Sequence, residues 1–215
     1  MNQLAATHIL LRHAGDHPIV ASLGNPKYDL ALAGDRPQNL YLWGAMGLAS
    51  SVGLGLALAQ PARRVIVLEG DGSLLMNLGS LATIAWRAPR NYLLVVWDNR
   101  SYELTGQQRT ATSAGADLAG LALAAGIPRA HRAKTLAEFE DALARELAQD
   151  GPAAIVAAVE PARSPGRPPK DPVYIKNRFM GALGSGERGM VEPLERPDGG
   201  GAPAGPGAAP ESETR

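Results

Sequence analysis

The stretch Val65-Ile66-Val67-Leu68-Glu69-Gly70-Asp71-Gly72-Ser73 decides the fold. Its first half is apolar and β-branched, as in a central strand covered on both faces. Its second half sets a carboxylate between two glycines where that strand ends. A second apolar run, Asn91 to Trp97, leads into Asp98-Asn99, and residues 73–97 separate the two motifs. Two strand ends of one parallel sheet can lie at the same edge. Asp71 and Asn99 are therefore read as holding a divalent metal, which holds a diphosphate. Mg²⁺ is usually bound by one or two carboxylate or carbonyl oxygens, with phosphate oxygens completing the set.

Outward from this centre, strands alternate with helices. Residues 2–14 read as a short helix and Pro18 to Ala21 as a buried strand, with a turn at Gly24-Asn25-Pro26. A helix over 27–33 is closed by Gly34, and Asn39 to Trp43 is a second strand. Leu48 to Gln60 is a small-residue helix stopped near Pro61. Ser73 to Trp86 is a helix that Ser73 is placed to cap. Asp98 to Thr112 is a polar loop. A helix over 117–125, a short strand at Ala130-His131-Arg132, a helix from the Thr135 cap to Ala148 and a strand from Ala153 to Val159 follow. The alternation predicts an α/β fold, a doubly wound parallel sheet with helices on both faces. Its site belongs at the carboxyl ends of the strands, near a topological switch point.

Beyond Glu160 the composition changes. Residues 1–160 are read as the cofactor-binding domain and 161–184 as a linker with a C-terminal docking segment, helical over Val173 to Leu183. Residues 185–215, rich in Gly, Pro and Ala, are read as a disordered tail.

The 215 residues carry 21 basic and 21 acidic side chains, so no charge excess points to nucleic acid or an anionic membrane. Cysteine is absent, which excludes disulfides, Cys-ligated zinc and a thiol nucleophile, and fits a cytoplasmic protein. No apolar run approaches the ~18 residues of a membrane span, and the first residues contain no signal-peptide pattern. His8, His13, His17 and His131 show no metal-ligand spacing and are read as surface or structural residues.

Each half of the central constellation has an ordinary reading alone. Gly-Asp-Gly is good turn chemistry, and Asp-Asn-Arg-Ser opens many loops. A dinucleotide-binding fingerprint fits poorly. Leu75 stands where its third glycine belongs, and an uncompensated carboxylate would repel a pyrophosphate. The conjunction of strand, Gly-Asp-Gly-Ser, helix, apolar strand and Asp-Asn carries the metal reading.

Gly70-Asp71-Gly72 followed by Asp98-Asn99 resembles the thiamine diphosphate motif, Gly-Asp-Gly with Asn-Asn at a comparable distance. Asp98 replaces the first Asn. Asn99 keeps the second, which the resemblance makes a metal ligand beside Asp71. The third ligand it implies is the main-chain carbonyl of Ser101. Residues 44–51, 75–84 and 102–107 are similar to the sulfopyruvate and phosphonopyruvate decarboxylases, over a range from about 18 to 160. Leu48 departs from the His of many phosphonopyruvate-type members. The resemblance gives Met46 the role of a wedge that bends the cofactor. It places Gly24, Asn25, Gly47, Leu48, Gly70, Gly72, Ser73 and Tyr102 with Asp71, Asn99 and Ser101 as cofactor neighbours. Glu103 is read either as a substrate-facing carboxylate or as a solvated loop one.

What the resemblance implies is half of an active site. Thiamine chemistry needs a glutamate against the aminopyrimidine, and in this superfamily it comes from the pyrimidine-binding domain. The expected protein is a beta-type subunit of a decarboxylase (a lyase), with thiamine diphosphate and Mg²⁺. It would convert a 3-sulfo- or 3-phosphono-pyruvate to an aldehyde and carbon dioxide, in a hetero-oligomer with a pyrimidine-binding alpha-type subunit. The alternatives are another carboligase or 2-oxo acid enzyme subunit of the superfamily, a non-catalytic cofactor-binding subunit, and a Mg²⁺-dependent nucleotide binder.

Overall fold

The computed structural model describes residues 1–184; the expected disordered tail, 185–215, lies outside the described residues. Six strands form one parallel sheet: β1 (Ile19–Ala21), β2 (Asn39–Tyr41), β3 (Val65–Gly70), β4 (Tyr92–Asp98), β7 (Arg129–Ala133) and β8 (Ala153–Ala158), in the order β2-β1-β3-β4-β8-β7. In register, Gly70 pairs with Trp97 and Val65 with Tyr92, so β3 and β4 finish level. A separate antiparallel hairpin, β5 (Ser101–Tyr102) with β6 (Gln108–Arg109), lies within the stretch read as a polar loop.

The helices divide between the two faces, as the doubly wound reading requires. Ile66, Leu68, Leu93, Val95 and Trp97 pack under α1 (Gln3–Ala14), α2 (Asn25–Gly34) and α7 (Leu136–Leu147). Val65, Val67, Tyr92, Leu94 and Val96 pack under α3 (Ala49–Ala59), α4 (Asp71–Leu75), α5 (Gly79–Arg87) and α6 (Leu118–Ala124). Alternate residues of β3 and β4 thus serve opposite cores, which is why Val65–Leu68 and Tyr92–Trp97 are unbroken apolar runs. Thr135 caps α7 in a full capping box with Glu138, as its position ahead of an amphipathic run predicts.

Two local readings are corrected. The helix expected from Ser73 to Trp86 is two helices, α4 and α5, interrupted at residues 76–78. Ser73 lies inside α4 and is not its cap: the helix begins at Asp71, and the Ser73 hydroxyl donates to Glu69 Oε2 at 2.6 Å. The hydroxyl is taken up by Glu69, four residues back at the end of β3, and not by the N–H groups of the helix.

Residues 161–171 have no regular structure but are anchored at several points. The Asn25 side chain donates to the Ala162 carbonyl at 2.6 Å, and Trp43 Nε1 donates to the Pro169 carbonyl at 3.0 Å. Gly166 lies so close to the Tyr28 backbone that a β-carbon would meet its carbonyl oxygen at 1.9 Å. Asp171 then caps α8 (Pro172–Ala182), which buries Ile175 and Phe179. Arg178 binds Asp35 through both terminal nitrogens, at 2.7 and 3.0 Å.

Candidate functional site

From β1 the chain turns to β2 on one side, while β3 and β4 lie on the other. The crevice between the ends of β1 and β3 is therefore the switch point where open α/β sheets bind ligands. A cavity of about 100 Å³ opens there. Gly24, Asn25 and Pro26 line it from the N-terminus of α2, and Gly70, Asp71, Gly72 and Ser73 from the end of β3. Asn99, Ser101, Tyr102 and Glu103 line it from the far side, together with Met46. Of the residues read as site residues, only Gly47 and Leu48 do not line it.

Asp71 is 2% exposed. Its Oδ2 accepts hydrogen bonds from Thr110 Oγ1 at 2.5 Å and Thr112 Oγ1 at 2.9 Å. Thr112 Oγ1 also lies 2.8 Å from Asp98 Oδ1. Among the described residues no side chain meets Asp71 Oδ1. Burial pushes the Asp71 carboxyl above its usual range, the two hydroxyls oppose the rise, and the charge of Asp98 adds to it. Neither threonine was singled out in the sequence. Their signal was two hydroxyl residues spaced by one beyond the Asp-Asn motif.

Asn99 Oδ1 accepts from the Ser101 N–H at 3.0 Å, which fixes the amide at the end of β4. An amide oxygen has a second lone pair for a cation. The Ser101 hydroxyl is buried without a partner. Glu103 is buried as well, which corrects the solvated alternative. Its Oε1 accepts from Gln107 Nε2 at 2.9 Å, and its Oε2 has no partner. Trp97 Nε1 is likewise unpartnered, and Trp97 lines the same cavity. Buried polar groups are nearly always paired, so three unpaired ones on residues around one cavity indicate a polar ligand.

Met46 rides on a loop held at both ends. Upstream, Lys27 Nζ donates to the Leu42 carbonyl at 3.1 Å. Downstream, the Gly47 N–H donates to Ser73 Oγ at 2.8 Å, and the Gly47 carbonyl accepts from Asn77 Nδ2 at 2.9 Å. Gly47 has φ +80°, and a β-carbon there would meet Asn77 Cβ at 2.7 Å and the Ser73 carbonyl at 2.8 Å. Its glycine is required by this close packing. Leu48 does not line the cavity and is 43% exposed. The Asn25 amide is committed to the C-terminal strap, since its Oδ1 also accepts from the Ser164 N–H at 3.4 Å.

Glu69, which the sequence reading passed over, is fully buried. Its carboxylate accepts from the Ser50 N–H at 3.2 Å and from Ser73 Oγ. Burial drives its pKa up, and hydrogen bonds from Ser73, Ser22 and the Ser50 amide oppose the rise. It ties the start of α3 to α4 behind the cavity. The histidines are structural where they have partners: His13 meets Glu140 at 2.9 Å and His131 meets Glu146 at 2.6 Å.

The donor set suits a divalent cation. Asp71 and Glu103 bring two carboxylates to the cavity, and no Lys or Arg lines it. A bare diphosphate would be repelled there, whereas one carried by a cation would be held by Asp71, Asn99 and the start of α2. The described residues contain no cluster of three or more His, Cys, Asp or Glu. A cation held by one carboxylate, one amide and a carbonyl then leaves positions for phosphate oxygens.

Residues 26–157 match the family model of the thiamine pyrophosphate enzyme C-terminal TPP binding domain. A phosphonopyruvate decarboxylase from Streptomyces viridochromogenes is 40% identical over 192 residues, covering 88% of this chain and 48% of that protein. The chain thus spans about half the length of that relative. A sulfopyruvate decarboxylase subunit beta from Methanocaldococcus jannaschii is 42% identical over 166 residues, 77% of this chain and 87% of that subunit. Among solved structures, benzoylformate decarboxylase from Polynucleobacter necessarius superposes with a TM-score of 0.65 at 20% identity. It covers 77% of this chain and 34% of its own, a likeness of fold.

Proposed function

This chain belongs to the thiamine pyrophosphate enzyme family, and from that premise we propose that it is the diphosphate-binding, beta-type subunit of a 2-oxo acid decarboxylase. Its substrate class is a pyruvate carrying a 3-sulfo or 3-phosphono group, released as an aldehyde and carbon dioxide. The observation that carries the proposal is the convergence of Asp71, Asn99, Gly24 and Met46 on one cavity at the switch point. The 87% coverage of a sulfopyruvate decarboxylase beta subunit supports the two-chain arrangement.

In this reading Asp71, Asn99 and the Ser101 carbonyl hold Mg²⁺, and the N-terminus of α2 and Gly70 to Ser73 face the diphosphate. Met46 supports the ring end of the cofactor, and Tyr102 closes the cavity over Gly72. When bound, thiamine diphosphate supplies the electron sink for decarboxylation. The chain's own residues orient it and exclude water. The cavity is well under the roughly 300–1,000 Å³ of pockets that enclose a whole small ligand. A pyrimidine-binding alpha-type partner supplies the remaining wall and the activating glutamate. Residues 1–160 form the cofactor-binding unit, and 161–184 dock back upon it. No described helix is long and apolar enough to cross a membrane, and we place the protein in the cytoplasm.

The test is carbon dioxide release from sulfopyruvate and phosphonopyruvate with thiamine diphosphate and Mg²⁺. The chain is assayed alone and mixed with an alpha-type chain. Turnover only in the mixture is the expected result; turnover by the chain alone overturns the need for a partner.

A further inference from the structure

The side-chain hydrogen bonds to the Asp71 carboxylate both fall on one oxygen, while the Gly72 N–H adds a backbone bond to the carboxylate. Thr110 and Thr112 both meet Oδ2, at 2.5 and 2.9 Å, and their own oxygens are 2.9 Å apart. Thr112 reaches on to Asp98 Oδ1 at 2.8 Å, so one hydroxyl joins two carboxylates. A hydroxyl has a single proton, so at any moment Thr112 donates to one of them. Thr110 and Thr112 are 3% and 8% exposed, so water does not substitute freely for either. The Thr110 methyl group lies where a β-carbon on Gly72 would meet it at 3.0 Å, and the Thr110 N–H donates to the Arg100 carbonyl at 3.1 Å. The two hydroxyls therefore join the far end of the 99–112 segment to the residue that begins α4.

We propose that Thr110 and Thr112 are positioning residues for the cation, clasping Asp71 by Oδ2 so that Oδ1 is presented as a single, fixed ligand atom. The inference rests on the reading of Asp71 as a metal ligand. A carboxylate free to rotate would offer either oxygen or both, and Mg²⁺ demands near-ideal octahedral geometry. Partners that orient metal ligands typically contribute 10- to 100-fold in metal affinity.

The experiment is calorimetric titration of thiamine diphosphate into the full chain mixed with an alpha-type partner chain, at a series of Mg²⁺ concentrations. Wild type is compared with Thr112→Val, Thr110→Val and Thr112→Ser. Thr112→Val should need about 10- to 100-fold more Mg²⁺ for half-saturation, and Thr112→Ser should return near wild type because it keeps the hydroxyl. Thr110→Val should move in the same direction as Thr112→Val, which keeps the test decisive if one variant fails to fold. A purely structural role would lower the melting temperature of the valine variants and leave their Mg²⁺ half-saturation unmoved, and that result overturns the clasp. If wild type shows no Mg²⁺-dependent binding, the reading of Asp71 fails and the clasp falls with it.

Discussion

Gly72 lies under the Tyr102 ring, where a β-carbon would come within 2.4 Å of Cε1. The backbone there tolerates alanine, so the glycine is needed for space. Gly72→Ala is expected to push the Tyr102 hairpin off the cavity and cost about 1–3 kcal/mol, the usual range for overpacking. Thermal unfolding reads the cost, and a calorimetric titration should show weakened cofactor binding; an unchanged melting temperature would mean that the hairpin yields freely. At this scale the sequence was informative where a motif is local. Asp71, Asn99 and Met46 stand out by their neighbours, and the structure brings all three to one cavity. Gly47 and Leu48, which the resemblance sets beside the cofactor, do not line the cavity: Gly47 packs against Asn77 and Leu48 is 43% exposed. Thr110 and Thr112 escaped notice because Asp71 is 39 and 41 residues away from them, and the role of Glu69 because it reaches the Ser50 N–H 19 residues back.

Among elements, the segment from β2 to α3 shows how far local signals reach. Helix α3 starts at Ala49 with no side-chain cap of its own. The Glu69 carboxylate, 19 residues on, accepts the Ser50 N–H instead. No reading of propensities finds a cap on another strand, although the helix was legible from its Ala and Leu content. The leg before Met46 depends on Lys27, which is 2% exposed with its Nζ 3.2 Å from the Trp43 ring centroid. Burial lowers this ammonium from 10.5 to about 8. Between those values the unfolded chain binds more protons than the folded one, so stability rises with pH across that window. Urea unfolding from pH 8 to pH 10.5 should show wild type gaining stability relative to Lys27→Met. A constant difference would mean that the cation–π contact with Trp43 offsets the burial. The break between α4 and α5 was missed because residues 73–86 contain no Pro. Across the break the Met76, Asn77 and Ser80 N–H groups bond three residues back, to the Ser73, Leu74 and Asn77 carbonyls, and the Asn77 side chain donates to the Gly47 carbonyl.

Over the whole molecule, alternating strands and helices were enough to expect a doubly wound sheet, and the order β2-β1-β3-β4-β8-β7 puts its switch point between β1 and β3. The course of residues 161–171 was not legible, since Pro-rich sequence looks the same whether free or strapped down. Here Asn25, Tyr28 and Trp43 hold it across the N-terminus of α2 and the leg before Met46. The charge pattern of the site is a property of the whole fold too. It gathers one carboxylate from the end of β3 and one from the hairpin, and supplies no cationic side chain to balance them. The central claim is that a divalent cation on Asp71 balances them and anchors a diphosphate. Its most direct test is calorimetric titration of thiamine diphosphate into the full chain and into Asp71→Ala, each paired with an alpha-type partner chain, with Mg²⁺ and with a chelator. The account predicts saturable binding to wild type that requires Mg²⁺ and disappears in Asp71→Ala. Binding that survives the chelator or the substitution, or binding of ATP in place of thiamine diphosphate, would contradict it.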